Sequence, residues 1–469
     1  MMARHFLALV ATGTALAGAP AMAQSTPGAP TAREAELEAR LAQLEAGVAL
    51  LRSELSATRT AQEPAAAAVP AAMVQTLPPA AEARLAALEA ARTTKPEPGF
   101  AIGSTRFKIG GFVRVNAAST RYNDGEVAVG GLGKEFYLPQ QIPVGGGFGS
   151  QDFLIQARQT RFVLNTETPV GSKALKSHIE FDFALSTAPA GAQRATNPFL
   201  PTLRRAFLTY GNTLAGQEWS TFQNVGVLPE STDFVGPLEG TVFVRQAIVR
   251  QTIALGTDLQ LQVAIENPET ESVNFTASTL LDNDDDRFPD VVGRLNWKTG
   301  KADLSLAMIA RELRVNQAGF GDTALGWGVS AAGKISFGHK DRHDIRFMAT
   351  YGDGIGRYLG LGFVPDVVFG GTRVDRLQTV GNFAGFAAVK FGWTDRLRST
   401  VTGSYQTSWY PVIASPLNNH AAWSAAGNLF WTAVKSLDVG VEYRHGVREL
   451  LSGNQGSLDR LEFAAKYSF

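Results

Sequence analysis

The chain has 469 residues, with 43 Lys and Arg against 43 Asp and Glu, and it contains no cysteine. A formal net charge of zero argues against a protein that binds nucleic acid through bulk positive charge. The absence of cysteine excludes disulfides, thiolate catalysis and thiolate metal sites. The 48 glycines and 28 phenylalanines, against 6 histidines, fit a β-rich protein with many tight turns.

The first residues have the features of a secretory signal peptide. A basic start at Arg4 and His5 precedes an apolar stretch over 6–16. Ala21-Met22-Ala23 is a small-x-small cleavage site, so we predict a signal peptide over 1–23, cleaved after Ala23. No later apolar run has the roughly 18 residues that a spanning helix requires, which excludes helical membrane proteins but not membrane barrels.

Residues 24–60 are predicted to form a coiled-coil segment. Apolar side chains recur at heptad spacing, at Leu37, Leu41, Leu44, Val48, Leu51 and Leu55. Glu and Arg fill the flanking positions, as in helices that pair through an apolar seam. An amphipathic helix packed on a domain would show a related pattern, but the strict spacing favours a short oligomeric coil.

Residues 61–99 form an Ala/Pro-rich spacer with a short helix. Prolines at 64, 70, 78 and 79 break the helical pattern and indicate extended chain. A second helical piece is expected over 82–92. Lys95-Pro96-Glu97-Pro98-Gly99 ends this N-terminal region, which we call the stalk.

From residue 100 to 469 the apolar period changes to two, which is typical of β-strands. About sixteen such segments follow, an even number of the kind that single-chain bacterial barrels use. Their expected starts are residues 106, 152, 175, 202, 214, 243, 258, 290, 302, 326, 343, 382, 396, 421, 436 and 457. The predicted fold is an all-β transmembrane barrel of about 16 antiparallel strands, preceded by an N-terminal α-helical coiled-coil stalk.

The connections between these segments alternate between long and short. Long connections are expected at 121–151, 187–201, 223–242, 267–289, 314–325, 353–381, 411–420 and 447–456. A barrel with both termini on one side places every long loop at one end and every tight turn at the other. A soluble sandwich has no reason to segregate loop length in this way.

The motifs that could carry catalysis are incomplete. Gly133-Lys134 lacks the first glycine and the Ser or Thr of a phosphate loop. His339 and His343 have the spacing of a zinc helix but lie in a polar turn without the following Glu. The acidic run over 282–286 lacks the glycine and distal Glu of a calcium loop. We therefore expect no enzyme, no cofactor and no metal.

Because successive side chains of a strand face opposite sides, the alternation predicts that a set of arginines faces the barrel interior. The candidates for the pore lining are Arg114, Arg161, Arg205, Arg250, Arg294, Arg311 and Arg346. A ring of arginines favours anions, because the guanidinium is always charged and holds a carboxylate in a fork. Alternatively, these arginines pair with interior acids such as Glu180 as part of the wall. Arg245 and Arg250 have opposite parity, and the neighbouring apolar residues favour Arg250 as the inward one unless a bulge intervenes.

The last strand ends in an aromatic residue. Phe463, Tyr467 and Phe469 lie on its apolar face, and the opposite face is small or charged. A terminal Phe closing such a strand resembles the signal by which outer-membrane barrels are recognised for insertion. Phe469 is expected to close the barrel beside Phe107 of the first strand.

Four stretches of the barrel zone resemble a known family, the DcaP-like trimeric outer-membrane porins. They are Arg106-Phe107-Lys108-Ile109-Gly110-Gly111-Phe112, Gln159-Thr160-Arg161-Phe162, Leu208-Thr209-Tyr210-Gly211-Asn212 and Gly216-Gln217-Glu218-Trp219-Ser220-Thr221-Phe222. The likeness covers roughly residues 30–469 and implies a sixteen-stranded homotrimer with a periplasmic coiled coil that passes small anionic solutes such as dicarboxylates. The Pro/Ala spacer departs from the family's continuous stalk.

The connection over 224–241 contains two prolines, acids and bulky apolar residues, an unusual composition for a loop left in water. In trimeric porins the loop at this position folds into the barrel and narrows it. We expect Glu230, Asp233 and Glu239 to form such a constriction loop opposite the wall arginines.

The function that we expect is passive diffusion of small hydrophilic solutes across the outer membrane of a Gram-negative bacterium, with a preference for anionic organic molecules. The expected partners are small anionic solutes, outer-membrane lipid and two further copies of the chain, with the stalk in the periplasm. A sugar-selective or general porin and a structural or tethering barrel are the alternatives. A sugar-selective porin is expected to line its interior with aromatic side chains, whereas most aromatic residues here are predicted to face outward.

Overall fold

The structure is a computed structural model, which describes residues 99–185, 196–317, 320–370, 376–411 and 414–469. In this part of the chain, sixteen antiparallel strands form one closed barrel, as predicted. The first strand pairs with the last, for example Val113 with Tyr467, which closes the wall. The predicted signal peptide, coiled-coil segment and nearly all of the spacer lie outside the described residues. Within those residues, no helix is long and apolar enough to cross a membrane.

The sixteen wall strands follow one another around the barrel in chain order. They are β1 (Thr105–Tyr122), β2 (Ser150–Gln156 and Arg161–Val170), β3 (Lys173–Asp182), β4 (Thr202–Tyr210), β5 (Thr213–Trp219), β6 (Arg245–Ala254), β7 (Leu259–Glu266), β8 (Asp290–Lys298), β9 (Ala302–Gln317), β10 (Phe320–Phe337), β11 (His343–Asp353), β12 (Gly381–Gly392), β13 (Leu397–Trp409), β14 (Asn419–Val434), β15 (Leu437–Leu450) and β16 (Gln455–Ser468). The predicted starts agree within two residues, except that β10 begins six residues earlier than expected.

Shorter elements lie before the first wall strand and within the connections. A strand at Phe100–Ile102 pairs with the start of β1. A small four-stranded sheet joins Glu271–Val273, Leu281–Asp282, Val367–Val368 and Gln378–Thr379. Single turns of 3₁₀ helix lie at Leu132–Lys134, Pro139–Gln141, Val225–Val227, Leu238–Gly240, His339–Asp341 and Gly356–Tyr358.

The two faces of the wall differ as the alternation predicts. In β16 the side chains of Phe463 and Tyr467 are exposed on the outside, whereas Arg460 and Glu462 are buried on the inside. The exposed Trp and Tyr residues also lie on the outer face, as in the aromatic girdles of membrane barrels. Phe469 is exposed too, and its backbone exchanges hydrogen bonds with Gly111 (3.1 and 3.3 Å). The expected neighbour Phe107 was therefore wrong, because Phe469 pairs with Gly111, four residues further along β1.

Tight turns join the strands at the end where β1 begins and β16 ends, which we call the turn end. The loop end carries the connections over 123–149, 183–201, 220–244, 267–289 and 354–380. The long connections predicted at 314–325 and 447–456 were wrong, because these residues mostly belong to the strands of two extended hairpins. The β9–β10 hairpin extends because Leu313 and Val315 are fully buried against loop residues of 354–380.

Apolar side chains from two loops fill part of the barrel interior. Phe222 and Val242 of the 220–244 loop pack with Tyr358 of the 354–380 loop. Inward-facing wall residues complete this cluster, among them Ile309 and Met348. These loop residues therefore cover the inner face of β8 to β12. The polar inner face of the remaining strands is left to line a path through the barrel.

Candidate functional site

The connection over 220–244, which we call the inserted loop, lies inside the barrel and crosses to the opposite wall. Asn224 donates to Ser305 Oγ of β9 (2.9 Å), and the carbonyl of Leu228 accepts from Arg346 of β11. Further along, the backbone N–H of Thr232 donates to Glu442 of β15 (3.1 Å). These contacts run from β9 to β15, so the loop spans the width of the interior.

The three acids proposed for the constriction lie in different surroundings. Glu230 forms two bonds to Arg398 and keeps 28% of its side chain exposed. Asp233 is buried, accepts from the backbone of Tyr137 (2.7 Å) and lies 3.5 Å from Arg460. Glu239 is fully buried and accepts from Ser404 Oγ (2.6 Å). Of the three, Glu230 has the open position, and the other two anchor the loop.

Two of the predicted pore arginines, Arg161 of β2 and Arg205 of β4, keep 21% and 25% of their side chains exposed. Their carboxylate partners lie deeper. Arg161 contacts Asp182 (3.1 Å), which is 1% exposed, and Arg205 contacts Glu218 (2.6 Å), which is 7% exposed. A solute in the interior would therefore meet the guanidinium groups before the carboxylates.

A β-bulge in β4 adds an arginine that strict alternation does not predict. Glu180 of β3 pairs with Arg205 and the next residue, Phe181, pairs with Leu203, so Arg204 is the extra residue. A bulge re-aims side chains and disrupts the alternation locally. Arg204 consequently bonds Glu180 (2.8 Å) on the inner face beside Arg205. In the sequence, only the adjacent pair Arg204-Arg205 hinted at this extra inward arginine. Strict alternation predicts that just one of these two residues faces inward.

Three other candidates hold the inserted loop through uncharged oxygens. Arg250 donates to Thr221 Oγ1 (2.8 Å) and to the carbonyl of Trp219 (2.7 Å). Arg294 donates to the carbonyl of Gln223 and to Gln262 (2.7 Å). Arg114 donates to Asn116 (3.0 Å) and to the carbonyl of Thr232. These guanidinium groups fix the loop against β1, β6 and β8.

Arg311 does not line an open path, contrary to expectation. Its side chain is completely buried, with Asp290 of β8 at 3.1 Å and Asp366 of the 354–380 loop at 2.9 Å. It also donates to the carbonyls of Gly354 (3.1 Å) and Glu269. Arg311 therefore ties the wall to two loops. Arg346, the seventh candidate, pairs with Asp344 on its own strand (2.6 Å).

Glu271 belongs to the small sheet at the loop end, near Arg311. Its backbone N–H donates to Asp366 (3.1 Å). Burial, together with the nearby charge of Asp366, raises the pKa of the Glu271 carboxyl to about 8. The carboxyl is therefore largely protonated at neutral pH. In the described part of the chain, no group of three or more His, Asp and Glu is placed to hold a metal ion.

The comparisons with known proteins agree with this architecture. The sequence profile of the DcaP outer membrane protein family matches residues 83–469. The crystal structure of the outer membrane channel DcaP of Acinetobacter baumannii is similar, with 25% identity and a TM-score of 0.66 over 80% of this chain and all of that one. No curated protein sequence matches the chain.

Two further solved structures are less similar to this chain. A loop deletion mutant of OmpT from Vibrio cholerae has 11% identity and a TM-score of 0.49, over 78% of this chain and all of its own. An anion-selective porin from Comamonas acidovorans has 9% identity and a TM-score of 0.48 over the same shares. At these scores neither carries an argument about this chain.

Proposed function

The chain belongs to the DcaP outer membrane protein family, and from this membership and the chemistry of its inner wall we propose that it is a porin with a preference for anionic organic solutes such as dicarboxylates. The expectation that it is not an enzyme agrees with the family. The channel named in the similar Acinetobacter structure supports passage through the barrel.

The observation that carries the anion preference is the layering of charge at Arg161 and Arg205. Both side chains are partly exposed, and the carboxylates that neutralise them are nearly inaccessible behind them. The guanidinium fork matches a carboxylate in two parallel hydrogen bonds, so an exposed fork attracts organic acids more than cations. These ion pairs thus present a cationic surface to the solute, although each arginine has a carboxylate partner.

Uptake into proteoliposomes tests this proposal. Vesicles containing the purified protein are given radiolabelled succinate or a neutral sugar of similar size, with empty vesicles as the control. We expect both solutes to enter and succinate to enter faster. A faster entry of the sugar would favour the sugar-selective alternative, and no entry of either would favour a structural or tethering barrel.

The assembly and processing are part of the same proposal. We propose that the chain is cleaved after Ala23, that residues 24–60 form a trimeric coil in the periplasm, and that the outer aromatic residues contact lipid. The heptad spacing supports the coil, and the terminal Phe463, Tyr467 and Phe469 on the outer face support insertion as a barrel. N-terminal sequencing and chemical cross-linking of the membrane-extracted protein test cleavage and trimerisation.

A further inference from the structure

Glu180 of β3 lies where four cationic or potentially cationic groups converge. Its carboxylate is 3.3 Å from Arg161 Nη1, 2.8 Å from Arg204 Nε and 3.4 Å from Arg205 Nη1. The imidazole Nε2 of His178 lies 3.5 Å away. A carboxylate that contacts three arginines has more donors around it than one ion pair needs.

The bulge at Arg204 creates this convergence. Without it, the alternation of β4 would place only Arg205 on the inner face, opposite Glu180. With it, Arg204 reaches Glu180 and also Asp182 (2.8 Å) from the same side. The ring of Phe234, from the inserted loop, lies 5.0 Å from the Arg204 guanidinium and covers it. The cluster is thus built by β2, β3, β4, the inserted loop and, through Glu218, β5.

The cluster contains as many carboxylates as guanidinium groups in direct contact with them, and Arg245 adds a further positive charge nearby. Arg161, Arg204 and Arg205 face three carboxylates, those of Glu180, Asp182 and Glu218. Asp182 is shared between Arg161 and Arg204, and Glu218 takes two bonds from Arg205. Glu180 alone bridges all three guanidinium groups. It therefore occupies the position that the carboxylate of a solute would take.

We propose that Glu180 is a built-in competitor for the solute carboxylate at the site formed by Arg161, Arg204 and Arg205. This inference rests on the proposed function, because it concerns how firmly a permeating organic acid is held. A channel must bind its solute weakly enough to release it. The internal carboxylate satisfies the deepest donors and leaves the exposed sides of Arg161 and Arg205 for brief contacts with the solute.

Single-channel recording with added succinate tests the competitor role. We expect Glu180→Gln to lower the succinate concentration that half-blocks the chloride current by about threefold, the effect of one unit charge at roughly 6 Å in water. Glu167→Gln is the matched control. Glu167 lies on the same wall, is half exposed and pairs with Lys176 (3.4 Å) away from the three arginines. Its substitution should leave the half-blocking concentration unchanged.

A second variant keeps the test decisive if Glu180→Gln does not form a barrel, as judged by heat-modifiable migration on gels. Glu180→Asp retains the charge but withdraws it by one methylene, and we expect it to strengthen block by succinate in the same direction. An unchanged half-blocking concentration in a folded Glu180 variant would overturn the inference, and so would an equal change in Glu167→Gln. Absence of current in the unsubstituted protein would instead overturn the proposed function.

Discussion

Glu230 at the far side of the inserted loop forms a two-pronged ion pair with Arg398 of β13, with Nε–Oε2 at 2.7 Å and Nη2–Oε1 at 2.6 Å. The two residues are 168 positions apart in the chain. Their contact fixes the loop against the wall opposite to its own strands, β5 and β6. The inserted loop is thus held as a bridge across the interior and divides the route through the barrel.

Breaking this bridge should loosen the loop without unfolding the barrel. Glu230→Gln removes the charge, and the partly exposed pair contributes on the order of 1 kcal/mol or less. We expect more frequent fluctuations of the single-channel current at an unchanged melting temperature. Glu449→Gln, which alters a carboxylate near the β15–β16 connection, is the control. Equally quiet currents in both variants would show that the Glu230–Arg398 pair does not restrain the loop.

The second prediction concerns the buried ion cluster at Arg311. Substitution by Gln leaves Asp290 and Asp366 without their counter-charge, and removal of one partner from a buried pair costs roughly 3–5 kcal/mol. We expect a clear fall in the thermal stability measured by heat-modifiable gel migration.

Arg287→Gln provides the contrast for Arg311. Arg287 pairs with Glu312 (2.9 Å) but is 52% exposed, so water screens the pair and its loss should leave the stability nearly unchanged. Similar stabilities of the two variants would contradict the role of Arg311 as the tie between wall and loops.

The third prediction follows from the raised pKa of Glu271. In the unfolded chain the pKa of this carboxyl is about 4.3. Burial raises this pKa to about 8 in the folded protein. The folded state thus favours the protonated form. This contribution is fully present below the unfolded pKa and is lost as the pH rises through about 8.

We therefore expect the small sheet at the loop end to open more readily as the pH rises from about 5 to about 8, with no further change above that. Hydrogen exchange of residues 267–289, corrected for the intrinsic rate at each pH, measures this opening. Glu271→Gln cannot ionise and should remove the pH dependence of the corrected rates. A dependence that persists in the variant would assign the effect to another group.

The sequence predicted the barrel wall more completely than its interior. Alternation and loop length located fifteen of the sixteen strand starts within two residues, because each follows from local pattern. The extension of β9 and β10 was missed because it depends on Leu313 packing against a loop about 50 residues away in sequence. Parity also failed at Arg204, because a bulge depends on the register with β3.

The site was predicted only in part, for a similar reason. The alternation of side chains along a strand shows which arginines face inward. It does not distinguish an inward residue that is open to water from one that a loop covers. Arg161 and Arg205 are open, whereas Arg311 is sealed beneath loops that come from distant parts of the chain. Only the folded positions of the 220–244 and 354–380 loops separate the two cases.

The fourth prediction tests the wall arginines directly. Replacing both Arg161 and Arg250 by Ala removes two positive charges from the inner face between β2 and β6. We expect a lower permeability ratio of chloride to potassium in planar bilayers, with the migration on unheated gels unchanged. The double substitution Lys340→Ala and Lys435→Ala removes the same charge from turns outside the wall and is the control. An unchanged ratio would remove Arg161 and Arg250 from the selective region.

The selectivity of the interior for anions is measured by the zero-current potential of the unsubstituted channel in a planar bilayer across a tenfold gradient of potassium chloride. Because the exposed guanidinium groups lie in front of buried carboxylates, we expect a zero-current potential whose sign shows that chloride is more permeant than potassium. The potential should be larger when chloride is replaced by an organic anion that the guanidinium groups bind. A potential of the sign that potassium carries would show that the interior selects cations and that the exposed arginines do not control selectivity.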